Sequence, residues 1–493
     1  MKRFFAFVLC LILVFPLISC ASELDQPKAT LTDTLEAEKK TETAEPKKQH
    51  QGKFDPTGFC VGFGRADITP PRGTPMSGYG NTQSRLSENT LDPLYATCVA
   101  VRNGEETALI FSLDLLQIPR DVWSMLCRAV ENATGVKKEY MIFNCSHTHC
   151  GPDMTVDSPY ISRFLPRVVE AAEDAIATLD RAEMYVGDTR TENLAYVRRY
   201  IREDGTAGGG SNNVLGTNSP LARHETDADN QMRLIRFDRA NQRDVLLVNW
   251  TCHVTTLGSS TQTRISSDFV GVFREETERA GNVYVSFCQG AAGNVTPGTK
   301  LSWEKNNALS YEQHGKDIAA AALAALPTLT RTETGAIRAL LTEETVYYDN
   351  DTKGYDLDRA REIYELFKQR KDATALCRKY GFSSPYHASA VLGKASRTET
   401  QTEMNFGAVA IGDAVAFAWA PYEMFDTNGM QVKAASPFPM TFMCAYTNGA
   451  FGYIPAMEAF PNRGYEVDTT RYVAGTGEQG VQVLTGLLGQ LKG

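Results

Sequence analysis

From residue 59 onward, apolar runs of strand length alternate with segments whose apolar residues recur at helical spacing. The strand-length runs fall at 95–101, 108–113, 140–145, 184–186, 232–237, 245–252, 283–287, 336–341, 403–411, 414–419 and 440–445. Helical periodicity covers 120–132, 158–179, 270–280, 312–325, 356–371 and 480–491. Short continuous or alternating apolar runs read as strands, and runs with a period near 3.6 read as amphipathic helices. Their alternation predicts an α/β fold in which central β-sheets are flanked by α-helices. The segment 356–397 is charged and largely helical in pattern, which predicts an insertion packed outside the sheet core.

Ahead of this pattern lie two segments of different texture. Lys2 and Arg3 precede an apolar stretch over 4–18 that ends in Leu17-Ile18-Ser19-Cys20. A basic start followed by an apolar run is the pattern of an export signal. Its end resembles the bacterial lipobox, so residues 1–19 are expected to be a lipoprotein signal peptide and Cys20 the lipidated residue. Residues 21–53 are rich in Lys, Glu, Thr, Pro and Ala and hold no aromatic residue. Such a segment buries too little apolar surface to offset the entropy of ordering. Residues 20–54 are therefore expected to form a tether, with one folded domain over 55–493. The acyl chains would hold the exported protein to a membrane surface of the bacterial cell envelope.

Composition narrows the classes further. Apolar residues make up 42% of the 493, enough for a sizeable core. With 59 acidic and 50 basic residues the net charge is −9. No basic cluster offers a surface for phosphates, so nucleic acid is not expected as a partner. Of 11 cysteines, Cys10 lies in the signal and Cys20 at the lipidation site, and the remainder show no CxxC pair. Buried, mostly reduced cysteines are expected.

Only 7 histidines are present, so their placement carries information. Two stand in Ser146-His147-Thr148-His149-Cys150-Gly151-Pro152, directly after the apolar run 140–145. If extended, this H-x-H places both imidazoles on one side, about 7 Å apart. They could bind one metal together, or one could bind it while the other faces a substrate. His253 ends the run 245–252, a position where α/β proteins usually build sites. Asp268 precedes a predicted helix, as an N-cap or as a support to the site. Small residues follow the run 283–287 in Gly290-Ala291-Ala292-Gly293-Asn294-Val295-Thr296-Pro297, where exposed N–H groups could face an oxyanion. The Gly-rich stretch 204–210 is not followed by the Lys-Ser/Thr of a phosphate loop and is expected to be a mobile surface loop or lid.

Taken together, these segments resemble the catalytic domain of the neutral/alkaline non-lysosomal ceramidases. The resemblance begins at Gly62-Phe63-Gly64-Arg65-Ala66-Asp67-Ile68-Thr69-Pro70-Pro71 and Ser77-Gly78-Tyr79-Gly80. It continues through the His147 loop, the strand into His253 and the 293–297 turn. It ends with Ala420-Pro421-Tyr422-Glu423 and Tyr446-Thr447-Asn448-Gly449-Ala450-Phe451-Gly452-Tyr453. The resemblance implies a Zn2+ site with His147, His253, Glu423 and Tyr453 as ligands. It implies that His149 faces the substrate, that Arg198 lies in the pocket, and that Thr296 stands where the family has its catalytic serine.

Imidazole, carboxylate and phenolate are suitable zinc donors. Zinc would supply an activated water for attack on an amide carbonyl. His149 and the Thr296 hydroxyl would then stabilise the oxyanion or move the proton to the leaving amine. The expected activity is thus zinc-dependent amide hydrolysis, with the N-acyl linkage of ceramide or a related lipid as the first substrate. The alternatives are a metallohydrolase for another small-molecule amide or ester of the envelope, and a catalytically inactive binding lipoprotein. Three departures from the family pattern stand out. Thr296 replaces serine, no counterpart of the family's C-terminal immunoglobulin-like domain is expected after the last motif, and the 356–397 insertion and the Arg198-Arg199-Tyr200 loop differ.

Overall fold

The computed structural model describes residues 58–80, 82–207, 213–298 and 310–493. The signal segment, Cys20, the tether and residues 208–210 of the Gly-rich stretch lie outside the described residues. Phe54–Gly493 forms one compact unit. No helix among the described residues is long and apolar enough to cross a membrane.

A nine-stranded mixed sheet runs in the order Val283–Gln289, Asp244–Trp250, Gln231–Arg239, Asp180–Arg190, Phe59–Asp67, Tyr95–Asn103, Glu106–Leu113, Met141–Cys145, with Thr330–Thr332 added beside Asp180–Arg190. Pairing is parallel only at its two ends, between Asp244–Trp250 and Val283–Gln289 and between Glu106–Leu113 and Met141–Cys145. A second sheet orders Ile337–Tyr347, Gln401–Ile411, Val415–Trp419 and Met440–Cys444, with the last pair parallel. The class is the α/β one that the alternating pattern predicts.

Why the strands read as unbroken apolar runs is visible in Asp244–Trp250. Val245 and Leu247 enter a core shared with Phe417 and Phe442 of the second sheet. Leu246, Val248 and Trp250 enter another core, beneath the helices Phe269–Gly281 and Tyr311–Ala325. Both faces of the strand are covered, so Val245 to Val248 form a continuous apolar run. Each such side chain contributes about 1.5–3 kcal/mol by leaving water. Farther along the sheet, the face turned away from the second sheet packs on Ile161–Ala177, against which Arg120–Thr134 lies.

Phe59–Asp67 escaped the apolar pattern because Gly62 and Gly64 interrupt it. A Cβ at either would lie 1.8 or 2.1 Å from the carbonyl oxygens of Ala175 or Ala171. The helix backbone rests directly on the strand, and only glycine allows that approach. Residues 356–397 fold as three helices, Leu357–Lys368, Thr374–Tyr380 and Pro385–Ser396, around their own cluster of Ala360, Ile363, Cys377, Phe382, Ala388 and Val391. All the cysteines from Cys60 to Cys444 are buried and free.

Candidate metal centre

The carboxyl ends of several strands meet at one place, and buried amides hold them there. Asn144 donates to the carbonyls of Gln289 at 3.2 Å and Ala445 at 2.7 Å, and accepts from the Gln289 N–H at 2.7 Å. Asn249 donates to the carbonyls of Cys288 at 2.9 Å and Met443 at 3.1 Å. Gln289 in turn donates to the carbonyls of Ser146 at 2.9 Å and Cys252 at 2.6 Å. These three side chains tie together segments that are up to about 300 residues apart in sequence. Their hydrogen bonds are shielded from water, where leaving one unmade costs most.

The loops leaving those ends carry the chemistry. The His147-Thr148-His149 segment is not extended, because His147 adopts φ 68°. Consequently the two rings lie 4.9 Å apart, closer than the sequence spacing predicts. The His147 Nε2 lies 3.1 Å from the His253 Nε2 and 3.3 Å from the His149 Nε2. Donor atoms of all three lie within 4.8 Å of one another, an arrangement that could hold a metal ion. His147 and His253 are almost wholly buried.

Hydrogen bonding fixes the tautomers. The His147 Nδ1 bonds the Leu116 carbonyl at 2.9 Å, and the His253 Nδ1 bonds the Ala292 carbonyl at 2.6 Å. A carbonyl only accepts, so each Nδ1 carries a proton, which in the neutral ring leaves the Nε2 lone pair facing the centre. The Glu423 Oε2 completes the group, 3.3 Å from the His147 Nε2 and 3.4 Å from the His253 Nε2. Burial pushes the His253 pKa down to about 4, and Arg198 adds to this. Burial, then His147 and His253, likewise holds His149 well below its usual value. Burial works to raise the Glu423 carboxyl, but the two imidazoles outweigh it and hold it below the usual carboxylate range. With both rings in these tautomers, two Nε2 atoms and a carboxylate oxygen face one another. A divalent cation satisfies all three, and this N and O donor set suits zinc.

Tyr453 and Arg198 flank the group. The Tyr453 Oη lies 3.5 Å from the His253 Nε2 and accepts from the Arg198 Nη2 at 3.0 Å. Arg198 also donates to the Gly293 carbonyl at 3.0 Å and to the buried Glu466 at 2.8 Å. Burial raises the Tyr453 pKa, Glu423 adds to the rise, and Arg198 opposes it. Thr296 lies half-buried in the short strand Val295–Pro297, one residue past the carbonyl that accepts the His253 N–H at 3.0 Å. His147, His149, His253, Glu423, Tyr453 and Arg198 thus come together, and Thr296 follows the residue whose carbonyl holds the His253 N–H. His149 sits within the histidine group itself, so the structure offers it as a third nitrogen donor.

Some supporting residues were not singled out from the sequence. Tyr446 packs its ring 4.1 Å from that of His147. Tyr79 meets His149 edge-on at 5.0 Å, and a Cβ at Gly78 would lie 2.8 Å from the His149 Nδ1. Arg85 donates to the His149 carbonyl at 2.9 Å. Tyr446, Gly78 and Tyr79 lay inside quoted motifs, but aromatic and glycine residues carry no donor pattern to mark them. Asp268 is the N-cap of Phe269–Gly281, accepting the Phe269 N–H at 2.6 Å and the Leu257 N–H at 2.9 Å.

Comparison with known proteins follows the same lines. The crystal structure of neutral ceramidase from Pseudomonas aeruginosa superposes with a TM-score of 0.64 at 18% identity, over 89% of this chain and 75% of that one. A ceramidase complexed with C2 superposes with a TM-score of 0.62 at 17% identity, over 88% and 75% of the two chains. At such identities the likeness concerns the fold. No curated protein matches the chain. Residues 59–316, more than half of the chain, match the N-terminal domain of the neutral/alkaline non-lysosomal ceramidases, and the chain belongs to that family.

Proposed function

We propose that the chain is a zinc-dependent hydrolase that cleaves an amide bond. The observation that carries this is the meeting of the Nε2 atoms of His147 and His253 with the Glu423 Oε2 in a buried centre. His147, His253 and Glu423 would hold the ion, with Tyr453 or His149 as a further donor. Zinc bound there would act as a Lewis acid and lower the pKa of water. Around it, Arg198 is aimed by Glu466 at the Tyr453 hydroxyl, where it offsets negative charge. The His149 Nδ1 has no partner among the described residues, which leaves this ring able to carry a proton to a leaving amine. The Thr296 hydroxyl would donate to the developing oxyanion.

Family membership favours an N-acyl lipid such as ceramide as the substrate. A second substrate class, a polar amide of the envelope, is favoured by the tyrosine rings beside the centre. Tyr465 packs 5.5 Å from Tyr453 and 5.6 Å from Tyr386, and Tyr79 packs on His149. All carry hydroxyls, which suit polar groups better than an alkyl chain. Turnover of ceramide, an N-acyl amino acid and an N-acetyl sugar, each with and without chelator, separates these classes. Chelator-sensitive cleavage of at least one amide is expected. No cleavage of any amide by zinc-loaded protein would reject the hydrolase in favour of a binding lipoprotein.

The anchor proposal rests on Leu17-Ile18-Ser19-Cys20. Mass spectrometry of the mature protein should find an acylated Cys20 at the N-terminus. An unmodified start elsewhere would reject the lipid anchor and the envelope surface as its location.

A further inference from the structure

We infer that Asn294 and Asp426 act as a positioning pair that holds the metal-binding side chains in register. The inference rests on the metal assignment above. Asn294 occupies the turn between the strands Val283–Gln289 and Val295–Pro297, and Asp426 lies three residues past Glu423. Their side chains interlock reciprocally. The Asn294 Nδ2 donates to the Asp426 Oδ1 at 2.7 Å, and the Asp426 backbone N–H donates to the Asn294 Oδ1 at 2.9 Å. Both residues are at most 2% exposed. The other Asp426 oxygen accepts the Asp229 N–H at 3.1 Å, so the carboxylate cannot swing away.

What this lock holds is the whole turn. The Ala292 carbonyl accepts from the His253 Nδ1 at 2.6 Å, and the Gly293 carbonyl from the Arg198 Nη2 at 3.0 Å. The Asn294 carbonyl accepts the Arg198 N–H at 2.9 Å, and the Val295 carbonyl the His253 N–H at 3.0 Å. Four consecutive carbonyls thus orient two functional side chains, and Thr296 is the next residue. On the other side, the Gly293 N–H donates to the Met424 carbonyl at 2.7 Å, beside Glu423. The approach is so close that a Cβ at Gly293 would lie 2.6 Å from the Glu423 carbonyl oxygen. A single side-chain pair therefore joins the segment that orients His253 to the segment that carries Glu423. Neither member touches the centre itself, so both act through the residues they place.

Exchange of the two side chains tests this. N294D sets two buried carboxylates against each other. D426N sets its amide N–H against the Asn294 amide or, turned over, against the backbone N–H of Asp229, so one donor is left facing another either way. Each single variant should bind zinc about 10–100-fold more weakly, the usual cost of losing an outer support. In the double variant N294D/D426N, the carboxylate now at position 294 accepts from both the side-chain amide and the backbone N–H of position 426, and the interlock re-forms. Only the Thr427 N–H loses its 2.9 Å acceptor, so zinc affinity should return to within about threefold of wild type. Affinity is read on the full chain by competition with a chelator, with the unfolding temperature measured alongside. A wild type that binds no zinc would refute the metal assignment instead. Wild-type affinity in N294D, or a double variant no tighter than the singles, would overturn the positioning role. Where N294D fails to fold, the exchange must restore folding and zinc together, and a double variant that stays unfolded overturns the inference equally.

Discussion

Replacing His253 by alanine is expected to remove zinc and amide hydrolysis together. The side chain is fully buried, and its Nε2 lies within 3.5 Å of three other candidate donors, His147, Glu423 and Tyr453. Its loss deletes a donor and also leaves the Ala292 carbonyl without its 2.6 Å partner. The cost in zinc affinity should exceed the roughly 10–100-fold of losing an outer-shell partner. His147→Ala and Glu423→Ala should behave alike. Tyr453→Phe should weaken zinc less, because burial holds the Tyr453 phenol above its usual pKa and it stays protonated at neutral pH. His149→Ala separates the two donor sets that the geometry allows. If His149 is a ligand, zinc leaves with the imidazole. If it serves substrate, zinc stays and turnover falls. Equilibrium dialysis with zinc, run beside the amide assay, reads both. Full zinc affinity in His253→Ala would refute the assignment of that ligand.

The second large effect is expected at Thr296. As an oxyanion donor, its hydroxyl contributes one hydrogen bond to the transition state. Thr296→Val should then cost about 10²–10³ in kcat, as loss of one such donor does elsewhere. Residual activity should remain, and chelator should remove it. As a covalent nucleophile, the same change would abolish turnover, and Thr296→Ser would keep or raise it by relieving the crowding of a β-branched carbon. An acyl group would then be trapped on residue 296. No residue of the 293–297 turn is an acid–base group that could activate the hydroxyl. The donor role is therefore the one expected. Mass spectrometry after rapid quench decides: an adduct on Thr296 would reverse the assignment, and an unchanged rate in Thr296→Val would remove the residue from the mechanism.

Much of the architecture was legible because burial on both faces of a strand writes a continuous apolar run. Asp244–Trp250 and Val415–Trp419 show this directly. Phe59–Asp67 was not, since its two glycines answer to a helix backbone that single-sequence periodicity does not contain. The helix Asp426–Ala435 was missed for a related reason. It carries Asn428 and Gly429 on its buried side, where tertiary contacts override weak helix propensity. At the site, the histidines could be proposed because each follows an apolar strand. Bringing residues 147, 253, 423 and 453 together needed the family resemblance, because nothing local links them. The amides that converge the strands were hidden in plain apolar runs, Phe143-Asn144-Cys145 and Val248-Asn249-Trp250. A polar residue buried at the end of such a run was the available signal. The H-x-H spacing misled because it presumes extended backbone, whereas His147 takes up a left-handed conformation that draws the rings together.

The central claim is that His147 and His253 are the nitrogen donors of a metal centre in this family member. The measurement that bears on it most directly is zinc content per chain after dialysis against a zinc-buffered solution. Wild type and a folded His147→Ala/His253→Ala variant are compared. The expected result is one zinc ion in the wild type and none in the variant. A variant that retains a full equivalent of zinc would place the metal elsewhere and contradict the account.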